Sequence, residues 1–340
     1  MIKELDTTKI DHLREKIEGI KRTDKVAIIT HVSPDGDAVG SSLGLYHILK
    51  SKGIEADIVF PSRYPESFSF LADLEIHTIA KETPEKASRI LEEADIIFSL
   101  DFNDPYRTAE MSDSLCRSKA YKILIDHHLD PTDFSDLVFS YPMVSSTSLL
   151  TYTILSLCGY KELFTLDAIT CFYVGMMTDT GGFSYNSNDP HIYTVLSEMI
   201  ELGLDKDDVS ARVNRGYSID KVRLNAYAVS NNLTVLPEKK TAIITLSKAE
   251  KNRFNYKIGD TDGLVNVPLE AKEILFSIYL YEQSNFIKLS FRSKDPFACN
   301  LFASSYFSGG GHRNASGAEF YGTLEEAYQE VLKALEKMHP

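Results

Sequence analysis

Val26-Ala27-Ile28-Ile29-Thr30 runs directly into His31-Val32-Ser33-Pro34-Asp35-Gly36-Asp37. The first five residues form an unbroken apolar stretch of strand length, which reads as a strand buried on both faces. Pro34 and Gly36 then force a tight turn, and Asp37 is suited to cap a helix beginning near Ala38. Comparable apolar runs follow at residues 56–60, 96–100 and 122–125, with helical patterns over 38–51 and 84–93 between them. A charged amphipathic helix over 8–21 precedes the first strand. Strands alternating with helices predict an α/β fold built on a doubly wound parallel sheet. His31, Asp101 and Asp126 each stand immediately after the last residue of such a strand. In open α/β sheets ligands bind beyond the carboxyl ends of the strands, so these three residues should converge on one edge.

The chain has 340 residues, enough for about two domains. The first is expected over 1–195 and a helical, polar connector over 196–232, with a break at Asn214-Arg215-Gly216-Tyr217. A smaller α/β domain should occupy 233–340. Its strands read at 241–246, 275–281 and 286–291, on a smaller sheet, followed by the glycine-rich loop Gly309-Gly310-Gly311-His312-Arg313-Asn314-Ala315-Ser316-Gly317 and a helix over 324–338. Thr323 with Glu326 fits a capping box at the start of that helix.

Hydrophobic residues make up 43% and charged residues 25%, which is ordinary for a globular protein. The formal net charge of −13 argues against tracking long nucleic acid, which relies on many Lys/Arg–phosphate contacts. A short anionic substrate needs only a few cations. Cys116, Cys158, Cys171 and Cys299 form no CxxC pair, so zinc-ribbon and redox readings fail; three of the four lie in apolar stretches, which suits buried thiols in a reducing cytosol. Residues 1–25 are charged throughout and lack a hydrophobic signal segment. The longest apolar run, 168–177, is too short to span a membrane and reads as a core helix. A cytoplasmic protein without membrane partners is therefore expected.

Four short stretches carry the chemistry: His31-x-x-x-Asp35-x-Asp37, Asp101, Asp126-His127-His128, and Asp179 at the end of the apolar helix, where Gly181 and Gly182 stop it. Adjacent side chains diverge at a strand end, so His127 and His128 should divide between metal and substrate. A carboxylate at a helix C-terminus is disfavoured by the helix dipole and invites a cationic partner, which Asp179 would find in a metal. Oxygen-rich His/Asp sets suit divalent ions such as Mn²⁺ or Mg²⁺, whereas structural zinc favours cysteine. The donors exceed one ion's need. Two metals sharing a carboxylate can activate water and stabilise charge at phosphorus. In the glycine-rich stretch, backbone N–H groups could approach a phosphate closely, with His312 and Asn314 adding donors.

These motifs resemble those of the DHH phosphoesterases, and Gly309-Gly310-Gly311-His312-x-Asn314-Ala315-x-Gly317 resembles the signature of their DHHA1 domain, in the branch of nanoRNases and pAp phosphatases. The resemblance implies a DHH catalytic domain, a DHHA1 substrate-binding domain and two Mn²⁺ ions, with Mg²⁺ as a substitute. One ion would be held by His31, Asp35 and Asp101, the other by Asp37, Asp101, His127 and Asp179, making Asp101 the bridge. Asp126 would support a histidine and His128 would meet the substrate, so that Asp101, Asp126 and His128 carry catalysis. Arg292, Gly310, Gly311, His312 and Asn314 would bind substrate from the second domain. Gly182 stands where many relatives carry a basic or larger residue. The activity implied is hydrolysis of short oligoribonucleotides, linear dinucleotides among them, to mononucleotides, of 3′-phosphoadenosine 5′-phosphate (pAp) to AMP, or both. An inorganic pyrophosphatase, a cyclic-dinucleotide phosphodiesterase and a non-catalytic nucleotide- or RNA-binding protein are the alternatives. The oligomeric state, a homodimer included, stays open.

Overall fold

A computed structural model describes residues 5–215 and 218–337. The chain divides into two compact units, Met1–Gly216 and Tyr217–Pro340. The first contains, in order, α1 (Thr7–Glu18), β1 (Val26–Ile29), α2 (Gly36–Ser51), β2 (Ala56–Phe60), β3 (Thr78–Ile79), α3 (Pro84–Glu93), β4 (Ile96–Leu100), α4 (Ser112–Arg117), β5 (Tyr121–Asp126), β6 (Leu137–Ser140), α5 (Thr147–Leu157), α6 (Leu166–Asp179), α7 (Pro190–Glu201) and α8 (Lys206–Arg215).

Its six strands are ordered β3-β2-β1-β4-β5-β6 and every neighbouring pair is parallel. The apolar strand residues alternate between two cores. Ile28, Ile58, Phe98 and Ile123 pack with α1, α2, α5 and α6, whereas Ala27, Ile29, Val59 and Ile97 pack with α3 and α4. Helices on both faces are what near-continuous apolar strands require, and the doubly wound sheet expected from the sequence is present. The strand order reverses between β1 and β4, which makes their carboxyl ends the topological switch point.

The second unit contains α9 (Ile219–Asn231), β7 (Leu233–Leu236), β8 (Thr241–Leu246), α10 (Lys248–Arg253), β9 (Phe276–Glu282), β10 (Ile287–Ser293), α11 (Cys299–Phe307), β11 (Gly310–His312), β12 (Ala315–Phe320) and α12 (Leu324–Lys337). Its strands run β11-β12-β10-β9-β8-β7, antiparallel except for β8 with β9. With six strands this sheet equals the first, where the sequence suggested a smaller one. Phe276, Ile278, Leu289 and Phe291 bury one face under α11 and α12, while Ile244, Leu246 and Tyr279 meet α9 on the other.

The helical segment between the two sheets is shared between the units, α7 and α8 lying in the first and α9 in the second. Of the break read at Asn214-Arg215-Gly216-Tyr217, residues 216 and 217 lie outside the described residues, as does Met338. The capping box is present: Thr323 N–H donates to Glu326 Oε2 at 2.8 Å and Glu326 N–H to Thr323 Oγ1 at 3.2 Å. Among the described residues, no helix is long and apolar enough to cross a membrane.

Candidate metal centre

The site is built on the carboxyl edge of the first sheet. β1 ends at Ile29 and the chain turns through His31 into α2; β4 ends at Leu100 and delivers Asp101; β5 ends at Asp126, followed by His127 and His128. Asp179 is the last residue of α6. All eight motif residues therefore belong to the first unit, and the structure gathers them.

Two groups of potential metal donors flank Asp101, each with its ligand atoms within 4.8 Å of one another: His31, Asp35 and Asp101 itself, and Asp37, His127 and Asp179. Asp101 faces both. Its Oδ2 lies 3.4 Å from His31 Nε2 and its Oδ1 lies 3.5 Å from His127 Nε2. His127 Nε2 is also 3.5 Å from Asp179 Oδ2 and 3.9 Å from Asp37 Oδ2. Both imidazoles are aimed from behind: Nδ1 of His31 lies 2.9 Å from the Val32 carbonyl and Nδ1 of His127 lies 3.1 Å from that of Val144. A proton held on Nδ1 by a carbonyl leaves Nε2 as the donor toward a metal. His128 is arranged differently, its Nδ1 bonded to Asp126 Oδ1 at 2.7 Å.

The helix cap expected at Asp37 belongs to Asp35, whose side chain accepts from the N–H groups of Asp37 and Ala38 at 3.0 and 3.1 Å. The helix starts earlier than its apolar pattern suggested, so the residue before Gly36 takes the cap. Asp37 instead serves another helix. Its two oxygens accept from the N–H groups of Thr147 (2.6 Å) and Ser148 (2.8 Å) in the first turn of α5, where the helix dipole favours an anion. Thr147 Oγ1 donates to Asp101 Oδ1 at 2.9 Å. Thr147 and Ser148 were not among the sequence-read candidates; the signal available was Ser145-Ser146-Thr147-Ser148, a polar N-cap run opening an apolar helix.

A second signal is the spacing Gly36-x-x-x-Gly40-x-x-x-Gly44 on α2. A Cβ at Gly40 would lie 2.8 Å from Gly175 N of α6, and one at Gly44 would lie 2.6 Å from the Phe172 ring. The two helices are thus packed as closely as backbones allow, which is how α2 carries Asp37 up to the end of α6, where Asp179 stands.

The electrostatics suit a bound cation. Burial and the neighbouring charges of Asp101 and Asp179 push the Asp37 carboxyl well above the ordinary range. Burial opposes the charged form of His31, but the Asp101 and Asp35 carboxylates outweigh it and raise its pKa to about 10. At His127 burial is likewise overcome by Asp179, Asp101 and Asp37, raising it to about 9. Asp37, Asp101 and Asp126 are each at most 2% exposed. Gathering buried carboxylates around two imidazoles is costly unless cations neutralise them. Donor chemistry and charge together make this a cluster able to hold metal.

In the second unit, Arg292 lies on β10 between Ser277 of β9 and Ala315 of β12, and its Nη1 donates to the Phe291 carbonyl at 3.0 Å. The glycine-rich stretch is not a loop but the hairpin of β11 and β12, pairing Gly310 with Gly317, Gly311 with Ser316 and His312 with Ala315. Glycine's low strand propensity concealed it. At Gly311 (φ 138°) a Cβ would lie 2.6 Å from the Ala315 carbonyl, so close strand approach demands glycine there, whereas Gly310 faces open space. The side-chain amide of Asn314 donates to the Ser293 carbonyl at 3.0 Å, a bond that fixes the turn.

A family model described as the DHH family, N-terminal domain, matches residues 25–176, which span the first sheet. That family match, together with the relatives that follow, indicates a hydrolase of phosphoester bonds. The bifunctional oligoribonuclease and PAP phosphatase NrnA of Thermus thermophilus is 28% identical over 312 residues, covering 91% of this chain and 89% of that protein. The NrnA of Bacillus subtilis is 28% identical over 328 residues, covering 95% and 97%. An exopolyphosphatase-related protein of Bacteroides fragilis is 44% identical, with a TM-score of 0.92 and coverage of 98% and 97% of the two chains. The chain belongs to the DHH family of phosphoesterases.

Proposed function

We propose that the protein is a two-manganese phosphoesterase, able to use Mg²⁺ less effectively, that hydrolyses short oligoribonucleotides to mononucleotides and pAp to AMP. The observation that carries the two-metal part is Asp101, which turns one carboxylate oxygen toward each donor group. His31, Asp35 and Asp101 would hold one ion and Asp37, Asp101, His127 and Asp179 the other. Such ions, when bound, supply Lewis-acid stabilisation of phosphoryl charge and lower the pKa of water. The substrate assignment is supported by the relatives from Thermus and Bacillus, which carry both activities in their names.

The protein's own groups have distinct tasks in this reading. Thr147 and Ser148 hold the Asp37 and Asp101 carboxylates in fixed orientation. Asp126 keeps the Nδ1 proton of His128 in place and presents Nε2 to the substrate. Arg292, Gly310, Gly311, His312 and Asn314 of the second unit contribute to substrate binding. We assign residues 1–195 to catalysis and 233–340 to substrate capture.

The test is separation of products from end-labelled dinucleotides, phosphate release from pAp, and a parallel assay with pyrophosphate, each before and after chelation. Turnover of nucleotides that chelation abolishes and Mn²⁺ restores is expected. Full activity after exhaustive metal removal would sink the two-metal reading, and hydrolysis of pyrophosphate alone would replace the substrate.

A further inference from the structure

The loop after Asp101 carries an arginine that the motif residues leave out. Residues 102–111 leave the end of β4 anchored at both sides. Phe102 is fully buried and stacks on Phe134 at 5.8 Å, and Asn103 bonds the loop after β5, its amide donating to the Leu129 carbonyl at 2.6 Å and its own carbonyl accepting from Thr132 N–H at 2.8 Å. Asp104 then starts a tight helical turn by accepting from Tyr106 N–H at 2.8 Å, and the buried Thr108 hydroxyl closes it on the Pro105 carbonyl at 2.7 Å. Arg107 sits in the middle of this turn. Its carbonyl accepts from Val32 N–H at 2.7 Å, so its backbone is fastened to the residue beside His31.

The Arg107 side chain is half-buried, yet among the described residues it makes no hydrogen bond, ion pair or ring contact. Its positive charge nonetheless reaches the cluster, acting on both His31 and Asp126. A half-buried guanidinium without an acceptor is held at a cost, and its planar fork matches two oxygens of a phosphate. In a chain of net charge −13, an anion approaching this edge needs such a local cation.

We propose that Arg107 binds a phosphate group of the nucleotide substrate beside the metal centre. This assignment rests on the phosphoester reading of that site. It places one phosphate contact on the catalytic unit itself, held by the loop that also delivers Asp101, so that the reacting phosphate is positioned by the same element as the shared carboxylate.

The manganese-loaded full chain is compared with Arg107→Ala and Arg107→Lys. AMP and inorganic phosphate serve as binding probes, pAp as substrate, and bound manganese is counted by elemental analysis. Arg107→Ala should weaken AMP and phosphate binding and lower kcat/KM on pAp by ~10- to 150-fold, the value of one charge-assisted hydrogen bond, with manganese stoichiometry and melting temperature unchanged. Arg107→Lys should recover part of the loss, since charge remains and the fork does not. Unchanged phosphate affinity in Arg107→Ala, or a loss of manganese that accounts for the defect, overturns the assignment. Absence of any nucleotide turnover by the wild type would overturn the function proposed above, whereas phosphate binding reads Arg107 independently of turnover.

Discussion

Asp101 is held in a left-handed backbone conformation, φ 66°, that non-glycine residues adopt at a cost of ~1–3 kcal/mol. Asparagine tolerates that region better than alanine, which separates chemistry from folding. Asp101→Asn should lower turnover by several orders of magnitude at a near-native melting temperature, and Asp101→Ala should be equally inactive but less stable by ~1 kcal/mol. Near-normal turnover in a folded Asp101→Asn would remove the shared-carboxylate role. The histidines predict a pH dependence. In the metal-free protein His31 and His127 titrate at about 10 and about 9, above the ordinary 6.5. Their paired imidazolium forms therefore stabilise the metal-free fold fully below 6.5, and that contribution is lost as pH rises through 9 to 10. A metal must displace the same protons. Manganese affinity should accordingly rise with pH up to about 9 and level off above about 10, with proton release visible as buffer-dependent heats in calorimetry; a flat profile from about 6.5 to about 8.5 would contradict it. The motif residues were legible in the sequence because each stands at or beside an end of a strand or helix. Thr147, Ser148 and Arg107 were not, since orienting a carboxylate or waiting for an anion leaves no spacing of its own.

At the scale of elements, the sequence read most accurately where an apolar run had sharp ends. The strands at 56–60, 96–100 and 241–246 and the helix at 84–93 match their observed bounds. It read poorly where local propensity and tertiary role diverge. β3 is only two residues long, and β11 with β12 is a strand pair made of glycines and small residues. The close packing of α2 on α6 was visible as the Gly36, Gly40, Gly44 spacing, whose meaning emerges only once the partner helix is known. This packing sets the distance between Asp37 and Asp179. Gly40→Ala would place a methyl group against the backbone of Cys171 and Gly175, which cannot move aside as a side chain can. Destabilisation of ~1–3 kcal/mol is expected from such overpacking, together with weaker binding of manganese. Urea unfolding and metal titration check the two effects, and unaltered values in both would show that the helices can separate without consequence.

Each of the two units buries its own apolar core, and both donor groups that flank Asp101 come from the first. The metal residues lie in the first unit and Arg292 in the second, and the helices between them, read from the sequence as a connector over 196–232, are divided between the units. The division makes the roles separable by mutation. Arg292 lies at the end of β10 with neighbours Ser277 and Ala315, and its side chain bonds the carbonyl of the preceding residue. Replacing it with alanine leaves the apolar face of that strand, Ile287, Leu289 and Phe291, intact, so the second core should persist. If Arg292 contributes to substrate capture, Arg292→Ala should lower kcat/KM for dinucleotides and pAp by ~10- to 150-fold, the loss of one charged hydrogen bond to phosphate. Manganese stoichiometry should stay at the wild-type value, because no residue of either donor group has been touched. Combined with Arg107→Ala the losses should add as independent contacts do. An Arg292→Ala protein that keeps wild-type kcat/KM on both substrates would show that Arg292 is a solvated strand-end charge, and that capture of the phosphate rests with the catalytic unit.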